Sequence, residues 1–328
     1  MVIFVPLFEE SIKRMAAADF YIIVNPHSGS GKTMSEWSVA QDELKEKGIE
    51  YVSVFTLKIG HAKELSYKAA VEGYRKIIAV GGDGTLHEVF CGVGEAVDKG
   101  IARAEEFFIS VIPIGSGNDW VKAVGIPRDT KKAVEALASP RTEMEDYVRV
   151  RTSNGTCVMA NVGGLGFDSH VCERVNSLKS RGMRSKRIYI NSLLYTILHL
   201  NAINIEVIAD GEKFFSGECY SIAFGNGEYS GGGMRQTPGA RIGDGLLDVL
   251  LVPKVSLFNI LREIPRLFKG NIDESKYIKF FRCREVSIVP LNAASADIVE
   301  VDGEIEGRLP LTIQVSGEQF KIPAKTIK

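Results

Sequence analysis

Short apolar runs alternate with amphipathic stretches through the first part of the chain. Residues 20–24 (FYIIV) form a compact apolar run closed by Asn25-Pro26, and the spacing after it predicts a helix over 33–47 that Gly48 ends. The β-branched and aromatic run 51–55 reads as a second strand, 62–72 as a second helix, and 77–80 as a buried strand running straight into Gly81-Gly82. A third helix is predicted from about Thr85, with Thr85 as its cap, and 107–112 is the next strand. Alternation of this kind points to a parallel sheet with helices on both faces.

Beyond about Glu143 the pattern changes to short alternating segments at 147–151, 156–161, 203–209, 220–224, 246–252, 286–289 and 311–315, separated by Gly, Pro and Asn. These predict an antiparallel sheet domain, a sandwich, with helical insertions near 169–180, 186–200 and 256–268. The expected organisation is an N-terminal extension over 1–19, an α/β domain over 20–142 and a sandwich domain over 143–328. No repeat or low-complexity tract is visible.

Composition agrees with two domains: 328 residues, 45% of them hydrophobic. The net charge of -1 lacks the basic excess of a general nucleic-acid binder, so acidic ligands must be met by local groups. Cys91, Cys157, Cys172, Cys219 and Cys283 are scattered and odd in number, which suggests a reduced, intracellular chain. The opening MVIFVPLFEESIKRM places Glu9 and Glu10 before any basic residue, unlike a signal peptide, and no apolar run reaches the ~18–20 residues of a membrane span. The expectation is a cytoplasmic protein, soluble or peripheral at a membrane.

Three glycine-rich loops follow predicted strands of the first domain: Asn25-Pro26-His27-Ser28-Gly29-Ser30-Gly31-Lys32, Gly81-Gly82-Asp83-Gly84-Thr85 and Gly115-Ser116-Gly117-Asn118-Asp119. In an open α/β sheet such loops gather beyond the carboxyl ends of the strands, where glycines and helix N-termini receive phosphate oxygens. The first loop nearly imitates a P-loop, but Pro26 stands where the required glycine belongs. Asp83, between glycines at the tip of a buried strand, suits magnesium held beside phosphates better than it suits core packing. The bland readings are a strand-to-helix turn for the first loop, a tight turn with an Asp cap for the second and an N-cap pair for Asn118-Asp119.

Taken together these residues resemble the diacylglycerol kinase catalytic family. Gly-Gly-Asp-Gly-Thr is similar to the nucleotide loop of diacylglycerol, sphingosine, ceramide and NAD kinases and 6-phosphofructokinases. Asn25-Pro26-x-Ser28-Gly29, Thr56 with Gly60-His61-Ala62, and the third loop resemble the lipid-kinase branch. Asn161-Val162-Gly163-Gly164-Leu165-Gly166-Phe167-Asp168, the stretch from Gly225-Asn226 through Pro238 and Ala240 to Asp244-Gly245-Leu246-Leu247-Asp248, and Val301-Asp302-Gly303-Glu304 continue the likeness in order. Bacterial soluble diacylglycerol kinases are the nearest match. His87 departs from it, standing where bacterial members often carry Asn and sphingosine-kinase-like members His.

The resemblance implies a three-layer α/β nucleotide domain like that of NAD kinase and phosphofructokinase, a C-terminal β-sandwich, and an active site between them. It implies that Asn25, Pro26, His27, Ser28, Gly29, Thr56, Gly82, Asp83, Gly84, Thr85, Leu86, His87, Glu88, Ser116, Asn118 and Asp119 bind ATP. Asp83 and Asp119 would organise catalytic Mg²⁺, and a structural Mg²⁺ would sit on the Asp244 carboxylate with the carbonyls of Arg241 and Leu246. Asp83 also counts as catalytic, and Glu304, with Asp302 as rival, would activate the lipid hydroxyl. The plain alternative for Asp302-Gly303 is a hairpin turn, which is also a way to present a carboxylate.

Residues 179–187 carry five positive charges before an apolar stretch containing Tyr189, Ile190, Leu193, Leu194, Ile197 and Leu198. That pattern fits a segment docking on a membrane, or a solvated loop leading into a core helix. The expected activity is phosphorylation of a lipid hydroxyl, diacylglycerol first. A sphingoid base, phosphatidylglycerol or an isoprenoid-type glycerolipid, an NAD kinase, and a non-catalytic nucleotide sensor are the rivals. The expected partners are ATP and a lipid at a membrane surface, with no nucleic acid; a homodimer is left open.

Overall fold

The computed structural model describes residues 19–115, 117–138, 141–181 and 186–324. The expectations for residues 1–18, for Ser116 and for the centre of the basic stretch lie outside the described residues. The chain divides into two compact units. The first comprises the described parts of Met1–Ser116, Gly125–Glu143 and Phe320–Lys328; the second comprises Gly117–Val124 and Met144–Gln319.

In the first unit, β1 (Phe20–Val24), β2 (Tyr51–Phe55), β3 (Lys76–Gly81) and β4 (Phe108–Pro113) form a parallel sheet in the order β2-β1-β3-β4. Alternation along β1 explains the layers. Phe20, Ile22 and Val24 pack with Trp37, Ala40 and Leu44 of α1 (Thr33–Glu46), and with more distant Val134 and Leu137. Tyr21, pointing the other way, stacks near Tyr74, on the side covered by α2 (His61–Val71) and α3 (Asp83–Asp98). These two helices approach closely because Gly92 leaves room. A Cβ there would lie 2.2 Å from the Lys63 carbonyl oxygen.

The second unit opens with the short helix α4 (Asp119–Val124). The chain then returns to the first unit for α5 (Thr130–Leu137), which supplies the Val134 and Leu137 just mentioned. The strands that follow are β5 (Thr142–Thr152), β6 (Gly155–Met159), β7 (Val162–Gly166), β8 (Ile203–Ala209), β9 (Glu212–Gly225), β10 (Tyr229–Ser230), β11 (Met234–Arg235) and β12 (Leu247–Pro253). They continue with β13 (Lys279–Cys283), β14 (Glu285–Pro290), β15 (Ile298–Val301), β16 (Glu304–Arg308) and β17 (Leu311–Pro323), whose last residues belong to the first unit and pair with β4 through Lys321. The strands of this unit pair antiparallel among the described residues. Long β9 is the hinge of the architecture: its first half pairs β8, and its second half is held between β7 and β12. Three helices interrupt the strands: α6 (Phe167–Ser180), α7 (Lys186–Leu198) and α8 (Leu257–Lys269).

The structure corrects several sequence expectations. The helix expected from Thr85 begins at Asp83, with Gly82 as its N-cap, so Thr85 is inside the first turn and not the cap. The strand read at 220–224 is the end of a strand starting at Glu212, β7 and β13 were not anticipated, and β15 with β16 forms the hairpin weighed as the plain alternative for Asp302-Gly303. All five cysteines are free thiols, and burial pushes Cys219 and Cys283 up to about 12, leaving them unreactive packing residues.

Gly92→Ala is expected to lower unfolding free energy by about 1–3 kcal/mol, because the new methyl meets rigid backbone of α2. Urea denaturation of the variant and the parent measures it, and equal midpoints would remove the close helix contact as a constraint.

Candidate functional site

The first unit assembles its loops by tying each to the next. Val24 and Val80, on neighbouring strands, receive the amides of Thr56 at 2.9 Å and Asn25 at 3.0 Å. Asn25 Oδ1 accepts the His27 amide at 3.0 Å, while Asn25 Nδ2 donates to Thr85 Oγ1 at 3.0 Å. The Ser28 and Thr33 hydroxyls meet at 2.9 Å, closing the loop onto α1. Gly29 stands at φ +59, and a Cβ there would sit 2.6 Å from Ile114 Cγ2, so only glycine lets this loop lie against the chain leaving β4.

Of the residues expected along the nucleotide, Gly82, Asp83 and Gly84 are half-buried at the start of α3. Leu86 and His87 instead turn inward, 2% and 3% exposed, with His87 Nε2 3.5 Å from Cys91 Sγ one turn later. Glu88 does a different task from the expected one. Its two carboxylate oxygens accept the amides of Gly60 at 2.8 Å and Ala62 at 2.9 Å, capping α2 from the neighbouring helix.

Asn118 is buried with φ 52, and Asp119 follows as the first residue of α4. The Asp119 carboxylate receives Lys122 Nζ at 2.7 Å and the Gly232 amide at 2.6 Å, so it anchors the Gly231-Gly232-Gly233 loop inside the second unit.

Asp302 and Gly303 form the turn between β15 and β16, at φ 53 and φ 88. Two successive positive φ values are the mark of a tight hairpin turn. The Asp302 carboxylate accepts the Ala160 amide at 2.9 Å and the Asn161 amide at 2.8 Å, and Glu300 accepts the Gly303 amide at 3.0 Å. On the other side of the turn, α6 donates to the Gly303 carbonyl from Cys172 Sγ at 3.0 Å and from Asn176 Nδ2 at 3.1 Å. Asp302 is therefore a structural clamp, and Glu304 is the carboxylate that the clamped turn carries, half-buried at the start of β16.

The same helix leads to an apolar cavity within the second unit, about 80 Å³ and lined by Phe167, Ile197, Leu250, Ile260, Ile264 and Leu267 among others. Its polar spot is Asp168, bonded by the Ser221 hydroxyl and by Gln236 Nε2 at 2.5 Å. Burial pushes the Asp168 carboxyl up to about 6, against the two hydrogen bonds that lower it. Burial also raises Glu145 well above the usual carboxylate range. It accepts Trp120 Nε1 at 3.0 Å on both oxygens, and the Asp302 and Asp146 charges push it further up. Reading the sequence singled out neither Ser221 nor Gln236 as a site residue, and gave Asp168 no role. The Gly-Leu-Gly-Phe-Asp segment was the one available signal.

At the expected structural metal position, Asp244 and the carbonyls of Arg241 and Leu246 offer oxygen donors suited to a hard cation. In the structure the Asp244 carboxylate is paired with the Arg282 guanidinium, and its other oxygen accepts the Leu246 amide at 3.2 Å. Arg282 Nε also reaches buried Asp248 at 3.3 Å. As arranged, the Asp244 carboxylate is neutralised by a protein cation.

Residues 19–150 match the family described as diacylglycerol kinase catalytic domain, and residues 161–323 match the YegS C-terminal NAD kinase beta sandwich-like domain. A diacylglycerol kinase of Mycobacterium tuberculosis is 27% identical over 268 residues, 81% of this chain and 83% of that one. A crystal structure of a diacylglycerol kinase from Bacillus anthracis superposes with a TM-score of 0.68 at 18% identity, covering 93% and 96% of the two chains. Yeast NADH kinase superposes with a TM-score of 0.51 at 13% identity, covering 94% and 84%. The expected fold, an α/β nucleotide domain followed by an antiparallel sandwich, is the fold found.

Asp168 makes stability depend on pH in a definite direction. Its ordinary value is 3.8, so between about pH 4 and about pH 6 the native chain holds a proton that the unfolded chain has released. Its contribution is therefore lost as pH rises through that window, by on the order of 3 kcal/mol. Asp168→Asn should remove this dependence. Urea unfolding of parent and variant at pH 4 and pH 7 should show the variant gaining on the parent at the higher pH, and a constant difference would refute the assignment.

Proposed function

We propose, for a chain that belongs to the diacylglycerol kinase catalytic-domain family and is a lipid kinase, that it transfers the γ-phosphoryl group of ATP to the free hydroxyl of diacylglycerol. The observation that carries this reading lies in the second unit. One helix, α6, begins at a cavity whose lining is apolar, as acyl chains require, and grips, from Cys172 and Asn176, the turn that bears Glu304. Cys172 lies four positions after Asp168, about 6 Å along the helix axis. A lipid chain in the cavity and a hydroxyl beside Glu304 are thus consistent with one bound molecule. A soluble dinucleotide has no use for such a cavity, which counts against an NAD kinase.

In the first unit, the N-terminus of α3 and the glycines before it suit the triphosphate, with backbone amides offered to phosphate oxygens. Mg²⁺ bound with the nucleotide would neutralise charge developing on the transferring group. Asp83 is the residue we assign to hold it, since a carboxylate oxygen is the donor this cation takes. Asp119 acts through the Gly232 amide, holding the glycine loop of its own unit.

Glu304 accepts the hydroxyl proton as the acceptor oxygen bonds to the γ-phosphorus. The bond from that phosphorus to the β–γ bridging oxygen breaks, and ADP leaves with the electron pair. Asp302 keeps the turn in its left-handed conformation and takes no proton.

A kinase measurement with labelled ATP over a panel of diacylglycerol, sphingoid base, phosphatidylglycerol and NAD tests the acceptor. Label is expected in phosphatidic acid and absent with Asp83→Ala; label in a dinucleotide would overturn the reading. Glu304→Gln should lower kcat by about 10²–10⁴-fold with an unchanged melting temperature. Asp302→Ala should instead lose about 1–3 kcal/mol of stability, because it orphans the two amides of the link between β6 and β7. If the two variants exchange these effects, Asp302 is the base.

A further inference from the structure

The outer face of α8 has no task in the chemistry above. Ser256 caps this helix by accepting the Asn259 amide, and Gly270, at φ 74, ends it, so its orientation is well defined. Successive residues advance by a fixed angle, which sorts the side chains. Ile260, Ile264 and Leu267 line the cavity, and Ile264 packs against Leu193 and Ile197 of α7. Leu257, Phe258 and Leu261 continue the same apolar stripe past the cavity rim, 42%, 69% and 46% exposed. Exposed Arg262 and Lys269 flank the stripe. The sole acidic residue of the helix, Glu263, is turned to Arg266 and toward the cavity. On α7, Leu194, Tyr195 and Leu198 are exposed as well.

An apolar stripe bordered by cations and lacking exposed acid is the pattern of a helix lying in a bilayer interface. Single exposed apolar residues need no explanation, but a contiguous patch does. Here the patch is continuous with the lining of the cavity, so a molecule leaving the bilayer would meet apolar surface throughout. We infer that the face of α8 formed by Leu257, Phe258 and Leu261, with Arg262 and Lys269 beside it, docks this lipid kinase on an anionic bilayer at the mouth of the cavity. This rests on the reading that the cavity receives the acceptor's acyl chains. It places docking on a different helix from the basic segment at 179–187 that the sequence suggested.

Flotation of the full chain with vesicles of phosphatidylcholine, alone or with phosphatidylglycerol added, tests it. The parent should float with the mixed vesicles. Phe258→Ser with Leu261→Ser should weaken that partition about tenfold or more, at an unchanged melting temperature. Arg262→Gln with Lys269→Gln should abolish the preference for anionic over neutral vesicles. Turnover of detergent-dispersed diacylglycerol should be unaffected in both variants. Unchanged flotation of Phe258→Ser/Leu261→Ser overturns the proposal. So does a parent dimer that this variant converts to monomer in sedimentation, because the face then meets a second copy. Failure of the parent to turn over dispersed lipid would strike the cavity reading instead, separately from the vesicle result.

Discussion

Asp302 holds a backbone conformation that residues other than glycine rarely adopt, and the turn joining β15 to β16 depends on that hold. At φ 53 an aspartate is strained, and Gly303 at φ 88 continues the left-handed path. The amides of Ala160 and Asn161 offset the strain by bonding both carboxylate oxygens. Cys172 and Asn176 then grip the Gly303 carbonyl from α6. With the turn held from two directions, the first side chain of β16 has a defined origin. Asp302 and Glu304, two positions apart, thereby acquire unlike roles: one is consumed by backbone amides, and the other is presented.

The loops of the first unit are built on the same economy of short polar links. Asn25 joins its own loop to Thr85 in α3, and Glu88 of α3 reaches the first amides at the start of α2. A helix N-terminus needs acceptors for its first amides, and here a neighbouring helix supplies them. Close packing completes the arrangement, with Gly29 against Ile114 and Gly92 against the Lys63 carbonyl. Each glycine is there because a methyl group would collide with its neighbours.

Buried acids set the electrostatics of the second unit. Glu145, Asp146, Asp168 and Asp248 are all raised, in each case chiefly because burial disfavours the charged form. Asp248 and Asp244 are offset by Arg282, whereas Asp168 has only the neutral donors Ser221 and Gln236 beside an apolar cavity. A carboxyl in such surroundings costs stability near neutral pH, which suggests that it is retained for what it binds.

Much of this was legible in the linear order. The apolar run at 20–24 and the strands at 51–55 and 203–209 were placed at their observed bounds, because strand and helix periods are local properties of the chain. The ordered motifs from Asn25 to Glu304 identified the family, because glycine spacing at a phosphate loop is also local. The short strands β7 and β13 were missed, since their pairing comes from distant partners and not from their own composition. The resemblance favoured Glu304 over its rival Asp302, implied nucleotide contacts for Glu88 and His87 and implied a metal ion beside Asp244. Folding added partners that the linear order does not show, bringing Ala160 and Asn161 to Asp302, Gly60 and Ala62 to Glu88, and Arg282 to Asp244. The chain by itself determined which chemical groups are available; only the tertiary structure decided which are already bonded, because hydrogen-bond partners remote in sequence meet only when the sheets close.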